Sequence, residues 1–193
     1  ALYRVVGFAA SQQGVAWDDE PAVAAVARSL NVEFIASNLG VRVLYLGSDV
    51  TDEVRSVQGA EGASAVAALP SVRDALLSRQ RELAVAPGLV ADGRDMGTVV
   101  FPAAGLKIFL EASALARAQR RQSQLQLQDE DVSLPRLLEA IEARDTRDRT
   151  RSVSPLVPAQ DAVVVDSTDM TADAVFDRVM SLVAKKGIVH CDD

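Results

Sequence analysis

The apolar positions change their period several times along the chain, and each change predicts an element. Residues 1–14 carry apolar side chains at helical spacing and predict a helix. A second helix is expected over 20–30, behind Asp18, Asp19 and Glu20, with Pro21 tolerated in its first turn. The period then shortens. Val32-Glu33-Phe34-Ile35 and Val41-Arg42-Val43-Leu44-Tyr45-Leu46 read as strands joined by a turn at Ser37-Asn38-Leu39-Gly40, with another turn at Gly47-Ser48-Asp49. Helical spacing returns from about 59 to 86, broken at Pro70. Leu89-Val90-Ala91, Leu106-Lys107-Ile108-Phe109-Leu110 and Ala162-Val163-Val164-Val165-Asp166 are short apolar runs that read as buried strands. Helices are expected behind Ser113 as N-cap, from Leu134 to about Arg147, and over 171–185.

Continuous apolar strands alternating with helices predict an α/β fold whose parallel sheet, at 89–92, 106–110 and 162–166, is covered on both faces. The strands at 32–46 predict a small separate antiparallel lobe set among helices. A length of 193 residues suits one domain with a small inserted lobe. No internal repeat or low-complexity segment is present.

Composition narrows the function classes. With 49% hydrophobic residues the chain can bury a sizeable core, yet no apolar run approaches the ~20 residues that cross a bilayer. A membrane role is therefore not expected. No signal peptide opens the chain, and the single cysteine, Cys191, lies in a polar tail, so a cytoplasmic location is expected. The single histidine, His190, adjoins it, and two neighbouring residues fall short of the roughly four ligands of a structural zinc site. A net charge of −7 argues against nucleic acid as a partner. Three lysines (Lys107, Lys185, Lys186) stand against seventeen arginines. Arginine's planar fork suits phosphate, and a GC-rich genome would produce the same bias, so position has to decide.

Three clusters carry candidate chemistry. Asp92-Gly93-Arg94-Asp95-Met96-Gly97-Thr98 follows an apolar strand, where ligands bind in open α/β sheets. It reads equally as a loop stabilised by its own ion pairs. Arg144-Asp145-Thr146-Arg147-Asp148-Arg149-Thr150-Arg151 places Arg144, Asp148 and Arg151 on one helical face, with Arg147 and Arg149 elsewhere. That face offers forks for phosphate and a carboxylate for sugar hydroxyls. A solvated salt-bridge face is the alternative. Arg117, Arg120 and Arg121 near a helix end suit a triphosphate or an ordinary surface.

The stretch from Ala91-Asp92-Gly93-Arg94-Asp95-Met96-Gly97-Thr98 to Phe101-Pro102 resembles the signature of bacterial cytidylate kinases. So do Arg144 to Arg151, Ser154-Pro155-Leu156-Val157-Pro158-Ala159 and Val165-Asp166-Ser167-Thr168, while Ala1-Leu2-Tyr3-Arg4 matches the end of the family's Asp-Ser-Gly-Ala-x-Tyr-Arg segment. The similarity runs from residue 1 to about 185. It implies a P-loop nucleoside monophosphate kinase-like parallel sheet flanked by helices, with an antiparallel β insertion in the monophosphate-binding lobe at about 26–63 and a lid at about 112–132.

The implied reaction is transfer of the ATP γ-phosphoryl group to CMP or dCMP, with Mg²⁺; separately, a monomer is expected. The resemblance further implies that Ser64, Arg73 and Asp95 read the cytosine edge. Arg144 and Asp148 would hold the ribose, and Tyr3, Arg4, Arg94 and Arg151 the CMP phosphate. Arg117, Arg120 and Arg121 would lie in or near the lid over ATP, and Asp92 would help hold Mg²⁺ through water.

One family feature is absent from these residues. The pattern Gly-x-x-x-x-Gly-Lys-[Ser/Thr], which cradles ATP phosphates, occurs nowhere in the 193 residues. In the family it precedes the Tyr-Arg segment, together with a strand central to the sheet. The expectation is therefore a single kinase domain over 1–193 that is incomplete at its N-terminus and lacks that first central strand. The alternative is a truncated, non-catalytic CMP-binding module unable to bind ATP productively.

Overall fold

The computed structural model of the protein describes residues 1–37, 40–127 and 132–188. Asn38 and Leu39 of the turn expected at 37–40, residues 128–131 of the expected lid, and His190 and Cys191 lie outside the described residues. Two compact units follow one another, Ala1–Val90 and Ala91–Asp193. No helix among the described residues is long and apolar enough to cross a membrane.

The first unit contains α1 (Leu2–Gln12), α2 (Glu20–Arg28), β1 (Val32–Ser37), β2 (Gly40–Tyr45), β3 (Ser48–Asp49), α3 (Thr51–Arg55), α4 (Val57–Val66) and α5 (Pro70–Glu82). Its core is built by the apolar stripes that the helical spacing predicts: Val5, Val6, Ala9 and Ala10 of α1, Val23 of α2, Val66 of α4, and Val72 and Leu76 of α5 are sealed from solvent. Helices α1 and α4 cross where two glycines meet. A Cβ on Gly7 would lie 2.9 Å from the carbonyl carbon of Gly62. The Trp17 indole covers Gly62 and donates from Nε1 to the Gly7 carbonyl at 2.9 Å. Pro70 opens α5 instead of interrupting a longer helix, because a first-turn proline forfeits no intrahelical hydrogen bond.

β1, β2 and β3 pair antiparallel as expected, with Val32 opposite Tyr45 and Ser37 opposite Gly40, but Val32 and Val43 are buried in the same core as the helices, so the strands do not stand apart as a separate lobe. The turn expected at 47–49 shifts by one residue. Leu46 and Gly47, with φ of 51° and 81°, form a two-residue hairpin, so that Ser48 and Asp49 become β3. Two positive φ values in succession match the right-handed twist of the flanking strands.

The second unit contains a π-helical turn (Met96–Val100), β4 (Ile108–Glu111), α6 (Ala114–Gln126), α7 (Leu134–Thr150), β5 (Val163–Asp166) and α8 (Ala172–Lys186). β4 and β5 pair in parallel, Ile108 with Val163 through Glu111 with Asp166. Ser113 caps α6 as expected, its Oγ accepting from Ala116 N–H at 3.2 Å. Helix α7 runs three residues beyond the expected end at Arg147.

The strand expected at 89–92 does not form: this stretch is irregular, and Val90 is fully exposed. A short apolar run becomes a strand only beside a neighbour that takes up its backbone N–H and C=O groups. Among the described residues the parallel sheet consists of β4 and β5 alone. The expectation of cover on both faces fails with it, since Leu110 and Val164 remain half-exposed.

Candidate functional site

In the first unit, four candidate residues are distributed over three helices. The guanidinium carbon of Arg73, on α5, sits 5.4 Å from the centre of the Tyr3 ring on α1. Arg73 is buried, and its Nη1 donates to the Ala67 carbonyl at 3.0 Å. Arg4, the next residue of α1, donates from Nη1 to the Val54 carbonyl at 2.6 Å and to that of Ser56 at 3.4 Å. Ser64 lies on α4 with its Oγ buried and without a hydrogen-bond partner among the described residues. A buried hydroxyl left in that state is costly unless a ligand or water completes it.

In the second unit the centre is Asp148, the residue of α7 that is buried. Its Oδ2 accepts from Arg94 Nε at 2.9 Å and stands 3.8 Å from Arg144 Nε, while its Oδ1 stands 3.8 Å from Arg151 Nη1. The face expected from the spacing of 144, 148 and 151 is thus assembled, with one change of means. Helix α7 ends at Thr150, and Arg151 has left it, at ψ 141°. Arg151 is returned by its own Nε, which donates to the Ser154 carbonyl at 2.6 Å, and by the chain behind it, as Leu156 N–H donates to the Asp148 carbonyl at 2.8 Å. Ser154 has φ 49°, a left-handed turn that folds the chain back. Arg147 and Arg149 are exposed.

Arg94 reaches Asp148 from the loop ahead of the π-helical turn, and its side chain is 42% exposed. Its neighbour Asp95 is 3% exposed, and the Asp95 carbonyl accepts from the N–H groups of Val99 and Val100 at 2.9 and 3.2 Å. Asp92, at the start of the loop, is exposed. Among the described residues no three acidic, histidine or cysteine side chains gather to hold a metal. A lone accessible carboxylate fits a Mg²⁺ bound chiefly by phosphate oxygens and water.

The three arginines of α6 divide. Arg117 grips Asp145 of α7 with both Nη atoms, at 2.9 and 2.5 Å, and donates from Nε to the Ala112 carbonyl at 3.1 Å. Burial raises the Asp145 pKa, but the Arg117 hydrogen bonds and the charges of Arg117, Arg149 and Arg94 outweigh it, leaving the carboxyl below its ordinary value. Arg120 donates to the carbonyls of Ser167 and, at 3.1 Å, Met170. Arg121 reaches the Gln124 side-chain oxygen at 3.5 Å. All three arginines expected near a lid therefore contact protein groups, Arg121 by the longest bond. Asp145 carries an ion pair that sequence reasoning passed over, because its partner lies 28 residues away on another helix.

The family model for cytidylate kinase matches residues 1–185. The chain belongs to the cytidylate kinase family. The cytidylate kinase of Pseudomonas savastanoi pv. phaseolicola is 53% identical over 190 residues, covering 97% of this chain and 83% of the relative. That of Pseudomonas aeruginosa strain PAO1 is 52% identical over 189 residues, covering 97% and 82%. That of Pseudomonas paraeruginosa is 52% identical over 194 residues, covering all of this chain and 81% of the relative. Membership of the cytidylate kinase family makes the protein a kinase, a nucleotide-handling transferase on a mixed α/β fold. Nothing in these similarities favours the non-catalytic binding-module reading.

Proposed function

We propose that the protein transfers the γ-phosphoryl group of ATP to CMP or dCMP, giving CDP or dCDP. The observation that carries this reading is the buried Asp148 ringed by Arg94, Arg144 and Arg151. The planar forks of these guanidiniums suit the oxygens of a phosphate monoester. The carboxylate accepts hydrogen bonds only and would repel phosphate, so it takes the ribose hydroxyls together with Arg144. Arg94 and Arg151 are assigned to the phosphate as bidentate or single donors; Tyr3 and Arg4 of the first unit carry the same assignment from the family resemblance alone. Ser64, Arg73 and Asp95 are assigned to the cytosine edge. The orphaned Ser64 hydroxyl supports a polar ligand in the first unit.

Little base catalysis is needed, because the attacking oxygen already belongs to a phosphate anion. The residues contribute by holding that oxygen in line and by neutralising charge on the transferred group. Mg²⁺ bound with ATP would supply further charge neutralisation, and Asp92 is the carboxylate assigned to it through water. Residues 112–132 are assigned to the lid and 26–63 to the inserted part of the CMP lobe. Arg121, which has the weakest protein contact of the three α6 arginines, suits the role of reaching ATP. Lid closure would exclude water that competes for the phosphoryl group.

The test is an ATP-consumption assay on the full-length enzyme with Mg²⁺ and each of CMP, dCMP, UMP, AMP and GMP. CMP and dCMP should stimulate turnover and yield the diphosphates. If no cytidine nucleotide does so, the reading fails.

A further inference from the structure

Helix α7 presents Arg144 and Asp148, yet its buried residue is a carboxylate, Asp148. An amphipathic helix is ordinarily located by an apolar stripe pressed into a core. Half-buried Leu134, Leu137, Leu138 and Ile141 supply that stripe in the first half of α7, whereas the second half, from Arg144 on, has only charged side chains to locate it, and the best-formed of their contacts lies outside the proposed substrate cluster. Arg117 and Asp145 form a two-pronged pair at 2.9 and 2.5 Å, partly shielded, with side chains 34% and 19% exposed. The geometry also fixes the arginine at its other end. Nε donates to the carbonyl of Ala112, the residue directly after β4. A continuous path therefore runs from the end of the parallel sheet through one rigid guanidinium plane to α7, arriving one residue from Arg144 and one helical turn from Asp148.

We propose that Arg117 and Asp145 act as a positioning pair that sets the register of α7, and through it the placement of Arg144, Asp148 and Arg151 around the acceptor nucleotide. This rests on the reading of those three residues as CMP-binding. Neither member of the pair touches substrate. The planar fork matters, because two parallel N–H···O bonds fix rotation as well as distance, which a lysine ammonium does not. The α6 arginine nearest to β4 is thereby assigned to the acceptor side of the reaction.

The experiment is steady-state kinetics on the full-length enzyme, with CMP and ATP varied separately, for Asp145→Asn, Arg117→Gln, the double variant and Arg117→Lys, with Asp148→Ala alongside. Each single variant should lower kcat/KM for CMP by about ten- to a hundredfold, because small misplacement of positioning groups is expensive. The loss should fall mainly on KM for CMP, with KM for ATP held within about twofold. The double variant should be no worse than the poorer single variant, as for two halves of one contact. Arg117→Lys should recover only part of the loss, and it carries the same test if Asp145→Asn does not fold. A lowered melting temperature with unchanged KM for CMP would overturn the inference. So would a raised KM for ATP in Arg117→Gln alone, or losses that multiply in the double variant. If Asp148→Ala itself leaves KM for CMP unchanged, the site reading is what fails. If Asp148→Ala raises that KM and Asp145→Asn does not, the positioning role alone is refuted.

Discussion

The guanidinium of Arg73 lies over the ring of Tyr3, 5.4 Å from its centre, although 70 residues of chain separate them. A cation over an aromatic face is worth on the order of 1 kcal/mol and fixes the plane of the fork. Together with the hydrogen bond from Arg73 to the Ala67 carbonyl at 3.0 Å, it holds a buried arginine in place before any nucleotide arrives. Arg73→Ala should weaken CMP binding by about 1.5–3 kcal/mol, the range for hydrogen bonds to charged groups. Tyr3→Phe keeps the ring under Arg73 and should bind CMP better than Tyr3→Ala. Calorimetric titration with CMP measures both, and unchanged affinity in Arg73→Ala would remove that residue from base recognition.

The crossing of α1 and α4 predicts a stability effect independent of catalysis. A side chain at Gly7 would be driven against the backbone of Gly62, at 2.9 Å from its carbonyl carbon, and backbone cannot turn aside. Gly7→Val should destabilise the protein by about 1–3 kcal/mol, as overpacking of a closed contact does. Urea unfolding should show a lower midpoint with an unchanged slope. A midpoint equal to that of the parent protein would show that the helices separate at little cost.

Asp145 predicts the direction of an acid effect. Its folded pKa is depressed below the ordinary 3.8, so the folded state binds this proton less readily than the unfolded chain. The stability it contributes is present above 3.8 and is lost as the pH falls through the lower folded value. Asp145→Asn should therefore show a shallower decline in unfolding free energy below about pH 4 than the parent, with the two curves parallel near neutrality. An identical acid slope in the two proteins would mean that the ion pair is not maintained in solution.

Much of this arrangement was legible in the sequence because it depends on local chemistry. Periodicity located α1, α2, α6 and α8, and the capping of α6 by Ser113 followed from its place before an apolar-periodic run. The face of Arg144 and Asp148 followed from helical spacing. The stretch at 89–92 was misread because its apolar composition reports a tendency to pair, and pairing needs a neighbour the sequence window cannot supply. Arg151 stands beside Asp148 for a reason helical spacing does not contain, since the loop to Ser154 returns it after the helix has ended. The Arg117–Asp145 pair joins residues 28 apart on two helices, and the packing of those helices is a tertiary fact without a local signal.

The division of the arginine run supplies the sharpest contrast between neighbouring residues. Asp148 is 5% exposed and is reached by Arg94, Arg144 and Arg151, whereas Arg149, the next residue, is exposed. Asp148→Ala removes the acceptor assigned to the ribose and leaves three guanidiniums without their shared counter-charge. Their mutual repulsion should displace the forks assigned to phosphate and sugar, so the variant should both raise KM for CMP and lower kcat. The expected loss in kcat/KM is about ten- to a hundredfold, matching one charged hydrogen-bonding partner. Asp148→Asn separates the two effects, because it preserves an oxygen acceptor while losing the charge. Asn should therefore lose less than Ala if the sugar hydroxyls dominate, and as much if charge balance among the arginines dominates. Arg149→Ala removes an exposed side chain whose contribution is a distant charge on Asp145, and surface charges of that kind are worth at most about 1 kcal/mol. Steady-state kinetics on the full-length enzyme with CMP varied at saturating ATP compares the three variants directly. If Arg149→Ala proves as damaging as Asp148→Ala, the run from Arg144 to Arg151 is a structural ion-pair network, and the nucleotide is bound elsewhere.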